Sequence, residues 1–372
     1  MRIAFMHRQL HGGGTEADLR RMAGGLVVRG HEVHVFCARD GEAPPGVVVR
    51  RVRIVRGGRL LRLVSFAVAA PRAVAREPWD VVVGFGRTPR QDVVRVGGGT
   101  HRSYLARMET AGQRRTVRGP YHRAILWLEG RMFAPTGHRR ILSVSQLAAR
   151  EVAQDYRVPE GRIAVVYNGV DGERFHPGRR PELGPGLREE LGIAPDVPLC
   201  AAIGNGFVRK GFDLLLALWR RSPPGGAVLL LVGDDERLVQ WRRQVDEQRL
   251  TGRVFVTGPR SDVEAVLAAA DVVCVPSRQE AFGNVVLEAC AAGVPVVTSR
   301  RTGAAELLDG ELARLVVDDP EALEVLLGAL DEALGPDRGR FGAEGRRLAE
   351  ALPWDRHVDE VEALLEETAR GR

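Results

Sequence analysis

The hydrophobic positions of this chain fall into short β-rich runs separated by longer stretches with helical spacing. In the first half, residues 2–5, 32–37, 47–55 and 81–84 read as strands. Residues 15–29 read as a helix, with Thr15 and Asp18 at capping-box spacing at its start. The apolar run 60–75 is broken by Arg62, Pro71 and Arg72 and reads as a surface helix. Residues 141–145 and 163–167 follow as strands, and the second runs into the turn Asn168-Gly169-Val170-Asp171. Alternation of this kind predicts a parallel, doubly wound sheet.

Residues 176–198 are rich in Pro and Gly and read as an inter-domain linker. A second alternation then begins, with strands at 199–203, 228–232, 254–257, 272–275 and 294–298. Helices at 213–220, 238–248, 263–270 and 285–292 lie between them, and a last helix, 354–369, has no strand of its own. A length of 372 residues exceeds one ordinary core. The expectation is an α/β chain of two Rossmann-like domains, 1–180 and 181–353.

Composition narrows the class. At 44% hydrophobic and 27% charged the chain reads as globular. Cys37, Cys200, Cys274 and Cys290 are scattered, mostly in apolar runs, without the spacing of a metal site or a disulfide framework. The chain opens directly on a strand-like run, so no secretory leader is expected, and no run of about 18 apolar residues would span a bilayer. A cytoplasmic location fits these features.

Charge adds a partner. Residues 1–180 hold 32 Arg against 15 Asp and Glu, a balance of +17, while residues 181–372 balance at −11. The asymmetry predicts an anionic partner for the first half, such as a phosphorylated acceptor or an anionic membrane face. Nucleic acid is not expected, because aromatics make up only 5% of the chain and no basic stretch interleaves them for base stacking. Of 54 basic side chains only Lys210 is lysine, which suggests a site that wants a compact ammonium.

Four segments carry candidate chemistry. In Pro276-Ser277-Arg278-Gln279-Glu280-Ala281-Phe282-Gly283-Asn284-Val285-Val286-Leu287-Glu288, a strand ends, a loop carries Glu280 and a helix starts near Gly283 or Asn284. Backbone N–H groups at such a start form an anion site, and Glu288 lies one turn further on the face of Asn284. Gly204-Asn205-Gly206-Phe207-Val208-Arg209-Lys210-Gly211 follows a strand and offers Arg209 and Lys210 to a diphosphate. It does not have the Walker order. His11-Gly12-Gly13-Gly14-Thr15-Glu16 can cradle a phosphate or sugar but lacks the third glycine of a dinucleotide loop. Val96-Gly97-Gly98-Gly99-Thr100-His101 places a His behind a glycine loop. No Asp-x-Asp pair occurs, Asp234-Asp235 reads as a turn, and the His residues lack zinc spacing, so no metal is expected.

Together, Glu280 and Glu288 at x7 spacing, Gly204 with Arg209-Lys210-Gly211, the first glycine loop and Asn168-Gly169-Val170-Asp171 resemble the family-four retaining glycosyltransferases. Thr302-Gly303-Ala304-Ala305-Glu306 is similar to that family's late glycine–glutamate turn, and the segment 95–102 resembles the branch that glucosylates the inner core of lipopolysaccharide. The resemblance implies a GT-B fold, two Rossmann-like lobes facing across a cleft, with the last helix returning to the first lobe and making it 1–180 plus 354–372. It implies a nucleoside-diphosphate sugar as donor, UDP with glucose or a related hexose, and no further cofactor. It also implies an anionic glycolipid or polysaccharide as acceptor.

By the same resemblance, Glu288 binds the ribose and Glu280 the sugar hydroxyls, while Phe282, Gly283, Asn284 and Val285 lie near phosphate or sugar. Gly204, Arg209 and Lys210 hold the diphosphate, Gly13 and Gly14 close over the donor, and His101 lies at the sugar and acceptor oxygen. Rival expectations are a sugar-nucleotide epimerase of the same fold and a transferase acting on another lipid or a small molecule. The epimerase would not need the basic first half.

Overall fold

The computed structural model describes residues 1–39, 41–113 and 118–371. They form two compact units, one of Met1–Asn168 with Trp354–Arg372 and one of Gly169–Pro353. The division falls after Asn168 rather than at 180.

The first unit holds strands β1 (Arg2–Met6), β2 (Glu32–Cys37), β3 (Val48–Arg51), β4 (Val81–Gly84), β5 (Val93–Val96), β6 (Arg140–Ser143) and β7 (Ile163–Val165). They make one parallel sheet in the order β3-β2-β1-β4-β5-β6-β7. The helices are α1 (Gly14–Val28), α2 (Arg59–Val74), α3 (His101–Thr110), α4 (Pro120–Met132) and α5 (Gln146–Tyr156). The period-two pleat sends alternate residues to opposite faces. Ile3 and Phe5 of β1 therefore meet Leu19, Met22 and Leu26 of α1 and Val358, Val361 and Leu365 of the closing helix Trp354–Arg370. Ala4 and Met6 meet Phe66, Ala70 and Val74 of α2 on the other face.

The second unit repeats the plan with β8 (Leu199–Ile203), β9 (Val228–Val232), β10 (Val254–Gly258), β11 (Val272–Val275), β12 (Val296–Ser299) and β13 (Val316–Val317), in the parallel order β10-β9-β8-β11-β12-β13. Its helices are α6 (Arg180–Leu191), α7 (Phe212–Arg221), α8 (Leu238–Glu247), α9 (Val263–Ala269), α10 (Asn284–Ala291), α11 (Leu323–Leu334) and α12 (Arg338–Glu350). Strands β8, β9, β11 and β12 are buried along their length, as a parallel sheet with both faces covered requires. Asp271 anchors α6 here, accepting from Arg180, Arg188 and the Leu199 N–H.

Three expectations change. The segment 176–198 is not a linker: most of it is α6, which packs on α9, and a Cβ at Gly184 would stand 2.8 Å from the Ala268 carbonyl oxygen. That glycine marks a close helix contact rather than a break. The helix start at 15–18 is not a capping box, since α1 is capped by Gly13 without a side-chain bond and Asp18 is used by Arg95. Of the strand read at 47–55, only Val48–Arg51 is strand, at the edge of the sheet.

Candidate functional site

Each sheet reverses its strand order between two central neighbours, β1 and β4 in the first unit and β8 and β11 in the second. Loops leaving the carboxyl ends of such strands diverge, and ligands of doubly wound sheets bind in the crevice between them. The predicted second-unit motifs occupy those loops: Gly204–Gly211 follows β8 and Pro276–Gly283 follows β11.

The two loops are fastened to each other. The Arg278 N–H donates to the Arg209 carbonyl at 2.8 Å. Gly211, at φ 75°, lies so close to Pro276 that a Cβ there would stand 2.2 Å from its carbonyl oxygen. Buried Arg278 adds a second tie through Val208 O and Asp213 Oδ1, both at 2.6 Å, and Glu321 Oε1 at 2.7 Å. At Gly204 a Cβ would stand 2.5 Å from Lys210 Cε, so glycine there lets the lysine stem cross the strand end.

The charges converge on Glu280. Its Oε2 lies 2.7 Å from Arg209 Nη1 and 2.5 Å from Lys210 Nζ. Burial alone would raise the Glu280 pKa, but Lys210 and Arg209 outweigh it and hold the carboxyl at about 2. Burial lowers the Lys210 pKa, with Glu280 opposing. The backbone of Glu280 is pinned as well, its N–H donating to Arg301 O and its carbonyl accepting from Gly303 N–H, both at 3.0 Å. The late stretch Thr302–Glu306 thus braces the Glu280 loop.

Gly283, at φ 91°, caps α10, and its Cβ would stand 2.8 Å from Thr302 Cγ2. Phe282, Asn284 and Val285 flank it at the helix start. Glu288, half-buried one turn further, bears electrostatically on Lys210. The structure therefore gathers Gly204, Arg209, Lys210 and Glu280, with 282–285 and Glu288 on the adjoining helix start. Asp235 accepts from the Phe207 N–H at 2.8 Å and so ties the first loop as part of a turn. Among the described residues no group of three or more His, Cys, Asp or Glu could hold a metal ion.

In the first unit a cavity of about 250 Å³ opens at the ends of β1, β4 and β5. It is lined by His7, Arg8, Glu16, Phe85, Arg87, Arg95, Gly97–Gly99 and Glu129, among others. Gly13 and Gly14 are exposed and outside this lining, which takes Thr15 and Glu16 from their loop. His101 is also outside it. It is 7% exposed, and its N–H donates to both Glu129 carboxylate oxygens, at 3.0 and 2.9 Å. Its Nε2 lies 2.9 Å from His122 Nδ1 in a stacked pair. Burial, then Arg87 and His122, lower the His101 pKa to about 3, so the ring is neutral. Glu129 also accepts from Tyr156 at 2.6 Å and Arg87 at 3.1 Å. Sequence reasoning missed Glu129, His122, Arg95 and Arg278, whose partners lie tens of residues away and leave no local signal.

The family described as Glycosyltransferase Family 4 matches residues 12–174, and the one described as Glycosyl transferases group 1 matches residues 197–330. The lipopolysaccharide glucosyltransferase WaaG of Escherichia coli K12 is 25% identical over 357 residues, 94% of each chain. A D-inositol 3-phosphate glycosyltransferase of Segniliparus rotundus is 31% identical over 255 residues, covering 65% of this chain and 55% of that one. Among solved structures, WaaG superposes with a TM-score of 0.82 at 23% identity, over 98% of this chain and 99% of that one. Anabaena Alr3699/HepE in complex with UDP and glucose gives 0.75 at 19% identity, over 98% and 99%. With both sequence families matched at the switch-point motifs and the two-unit GT-B fold shared, the chain belongs to the family-four glycosyltransferases.

Proposed function

We propose that the chain is a retaining, metal-independent hexosyltransferase. It takes a UDP-activated hexose, glucose or a close relative, and delivers it to an anionic glycolipid or polysaccharide of the lipopolysaccharide-core type. The observation that carries the reading is the convergence of Arg209 and Lys210 on Glu280 at the second unit's switch point. Two fixed cations beside an ionised carboxylate form a site with charge for a diphosphate and an acceptor for sugar hydroxyls. The donor assignment draws further support from the complex of Alr3699/HepE with UDP-glucose, and the acceptor from the similarity to the lipopolysaccharide glucosyltransferase WaaG.

As the glycosidic bond to the diphosphate breaks, the anomeric carbon gains oxocarbenium character and negative charge grows on the leaving oxygens. Arg209, Lys210 and the N–H groups at the start of α10 stabilise that charge without reorganising, as water would have to. Glu288 holds the ribose and Glu280 the hexose. Glu280 is committed to its two cations and is not placed as a nucleophile. Retention then follows from attack by the acceptor hydroxyl on the departing face, the diphosphate taking its proton. Neutral His101 serves the sugar and acceptor oxygen, and the glycine loop at Gly13 and Gly14 closes over the donor.

Thermal unfolding with UDP-glucose and GDP-mannose, each with and without EDTA, tests the donor side, because a ligand that binds only the folded state raises the midpoint. UDP-glucose is expected to raise it equally in both conditions. No response to either nucleotide sugar, or a response lost on chelation and restored by Mn²⁺, would show the site to be misread.

A further inference from the structure

The first-unit cavity contains a buried cation with unmet donors. Arg95 is 4% exposed and lines the cavity. Its Nη2 donates to Asp18 Oδ2 at 2.8 Å and Asn168 Oδ1 at 3.0 Å, while its Nε and Nη1 are buried without a hydrogen-bond partner. A guanidinium stays charged and carries five N–H donors, and buried donors are almost always met. Unmet donors on a permanent cation point to a group that this cavity is built to receive.

The surrounding residues give that group its chemistry. Arg8 and Arg87 add two cations to the wall. The wall's carboxylates are already engaged: Glu129 accepts from His101, Tyr156 and Arg87, and Glu16 from His7 and Gln9. Glu16 is an ionised carboxylate that only accepts, so the His7 Nε2 that faces it at 3.0 Å carries the proton. His7 Nδ1, on the other side of the ring, is also buried and unpartnered. Gly97 preserves the arrangement, since a Cβ there would stand 2.2 Å from Arg95 Nη1.

We infer that this cavity is a subsite for one sugar residue of the acceptor bearing a phosphate or carboxylate, Arg95 taking the anion and a ring hydroxyl, which can donate or accept, meeting His7 Nδ1. A volume of about 250 Å³ suits a single substituted ring. Its position at the reversal of strand order is where doubly wound sheets take ligands. The assignment to the acceptor rests on the transferase reading, whereas the anion site does not.

Isothermal titration of the full chain with glucose, glucose 6-phosphate and glucuronate at constant ionic strength tests it, on wild type, Arg95→Lys and Gly97→Ala. At least one anionic sugar should bind tenfold or more tighter than glucose, and Arg95→Lys should remove the difference. Preference for the phosphate or for the carboxylate then identifies the source of the charge. Arg95→Lys can disturb Asp18 and Asn168, so Gly97→Ala serves as the second variant. It keeps Arg95 but displaces Nη1, and should weaken the anionic sugar likewise, with circular dichroism reporting its fold. Equal binding of all three sugars, or anion binding unchanged in both variants, would overturn the subsite. Anion binding dependent on Arg95 in a protein that ignores every nucleotide sugar would support the subsite and sink the transferase reading.

Discussion

Lys210 stands where 53 other basic positions carry Arg, and its surroundings give the reason. Its stem lies in the space a Cβ at Gly204 would fill, and its ammonium reaches Glu280 while Arg209 already presents a planar fork to the same oxygen. A second guanidinium has no room for its plane there. Lys210→Arg should therefore fold normally but lose at least about tenfold in turnover, and Lys210→Ala more, toward the 10²–10³ typical of losing one placed electrostatic group. Steady-state kinetics decide it, and wild-type turnover with arginine at 210 would reject the claim. Glu288→Ala should weaken binding of free UDP in calorimetry while Glu280→Ala chiefly damages transfer, and the reverse outcome would exchange their roles. Histidines set the pH dependence. Burial holds His101 at about 3 and His357 at about 4 and also lowers His138. Folded pKa values below the ordinary 6.5 mean that the unfolded chain takes up the protons first. The stability these rings contribute is complete above about 6.5 and is lost as pH falls toward 3–4. Urea midpoints should drop between pH 7 and 5, and less steeply in His101→Gln; equal midpoints in wild type would contradict the assignment. Glu280 and Glu288 were legible because their spacing within one loop and one helical turn is a local signal. Glu129 and Arg278 were not, since what makes each important is a partner 28 or 65 residues away.

At the scale of elements, the site depends on two loops held together by backbone. Gly211 permits this through its left-handed φ of 75° and its approach to the Pro276 carbonyl. Gly211→Ala should open the junction between the β8 and β11 loops, cost roughly 1–3 kcal/mol in urea unfolding, and weaken nucleotide binding along with it. A variant as stable as wild type would show that the contact is slack. The same elements show why reading the chain succeeded unevenly. Buried parallel strands such as β8, β9 and β11 stand out as unbroken apolar runs. Helix α6 did not, because Pro181, Gly184, Pro185 and Gly186 mimic a linker while Gly184 is in fact pressed against the Ala268 carbonyl. Helices α3, α4 and α5 were missed where arginines interrupt the apolar spacing, and the functional weight of α4 rests on Glu129, a charged residue on the face that the helix buries with Ile125, Leu128 and Met132.

At the scale of the molecule, charge is the remaining organiser. Among the described residues no helix is long and apolar enough to cross a membrane. The +17 balance of residues 1–180 nonetheless suits peripheral attachment to an anionic leaflet. Each basic side chain near such a surface contributes on the order of 1 kcal/mol, screened over about 8 Å at physiological salt. Co-sedimentation with liposomes should require anionic lipid and collapse at high salt, and salt-insensitive binding, or none at low salt, would remove the membrane from the account. The two-unit α/β plan was legible in the alternation of strands and helices, whereas the division at Asn168 was not, because the turn there and the Pro/Gly-rich stretch after it look alike in sequence. The proposed reaction is transfer of a hexose from a nucleoside diphosphate with its anomeric configuration kept. One proton NMR experiment tests it: the protein is incubated with UDP-glucose and a lipopolysaccharide-core acceptor, and UDP release is followed beside the anomeric signal of the product. UDP should be released in step with an α-linked glucoside, with or without EDTA. A β-linked product, or UDP-glucose left intact, would contradict it.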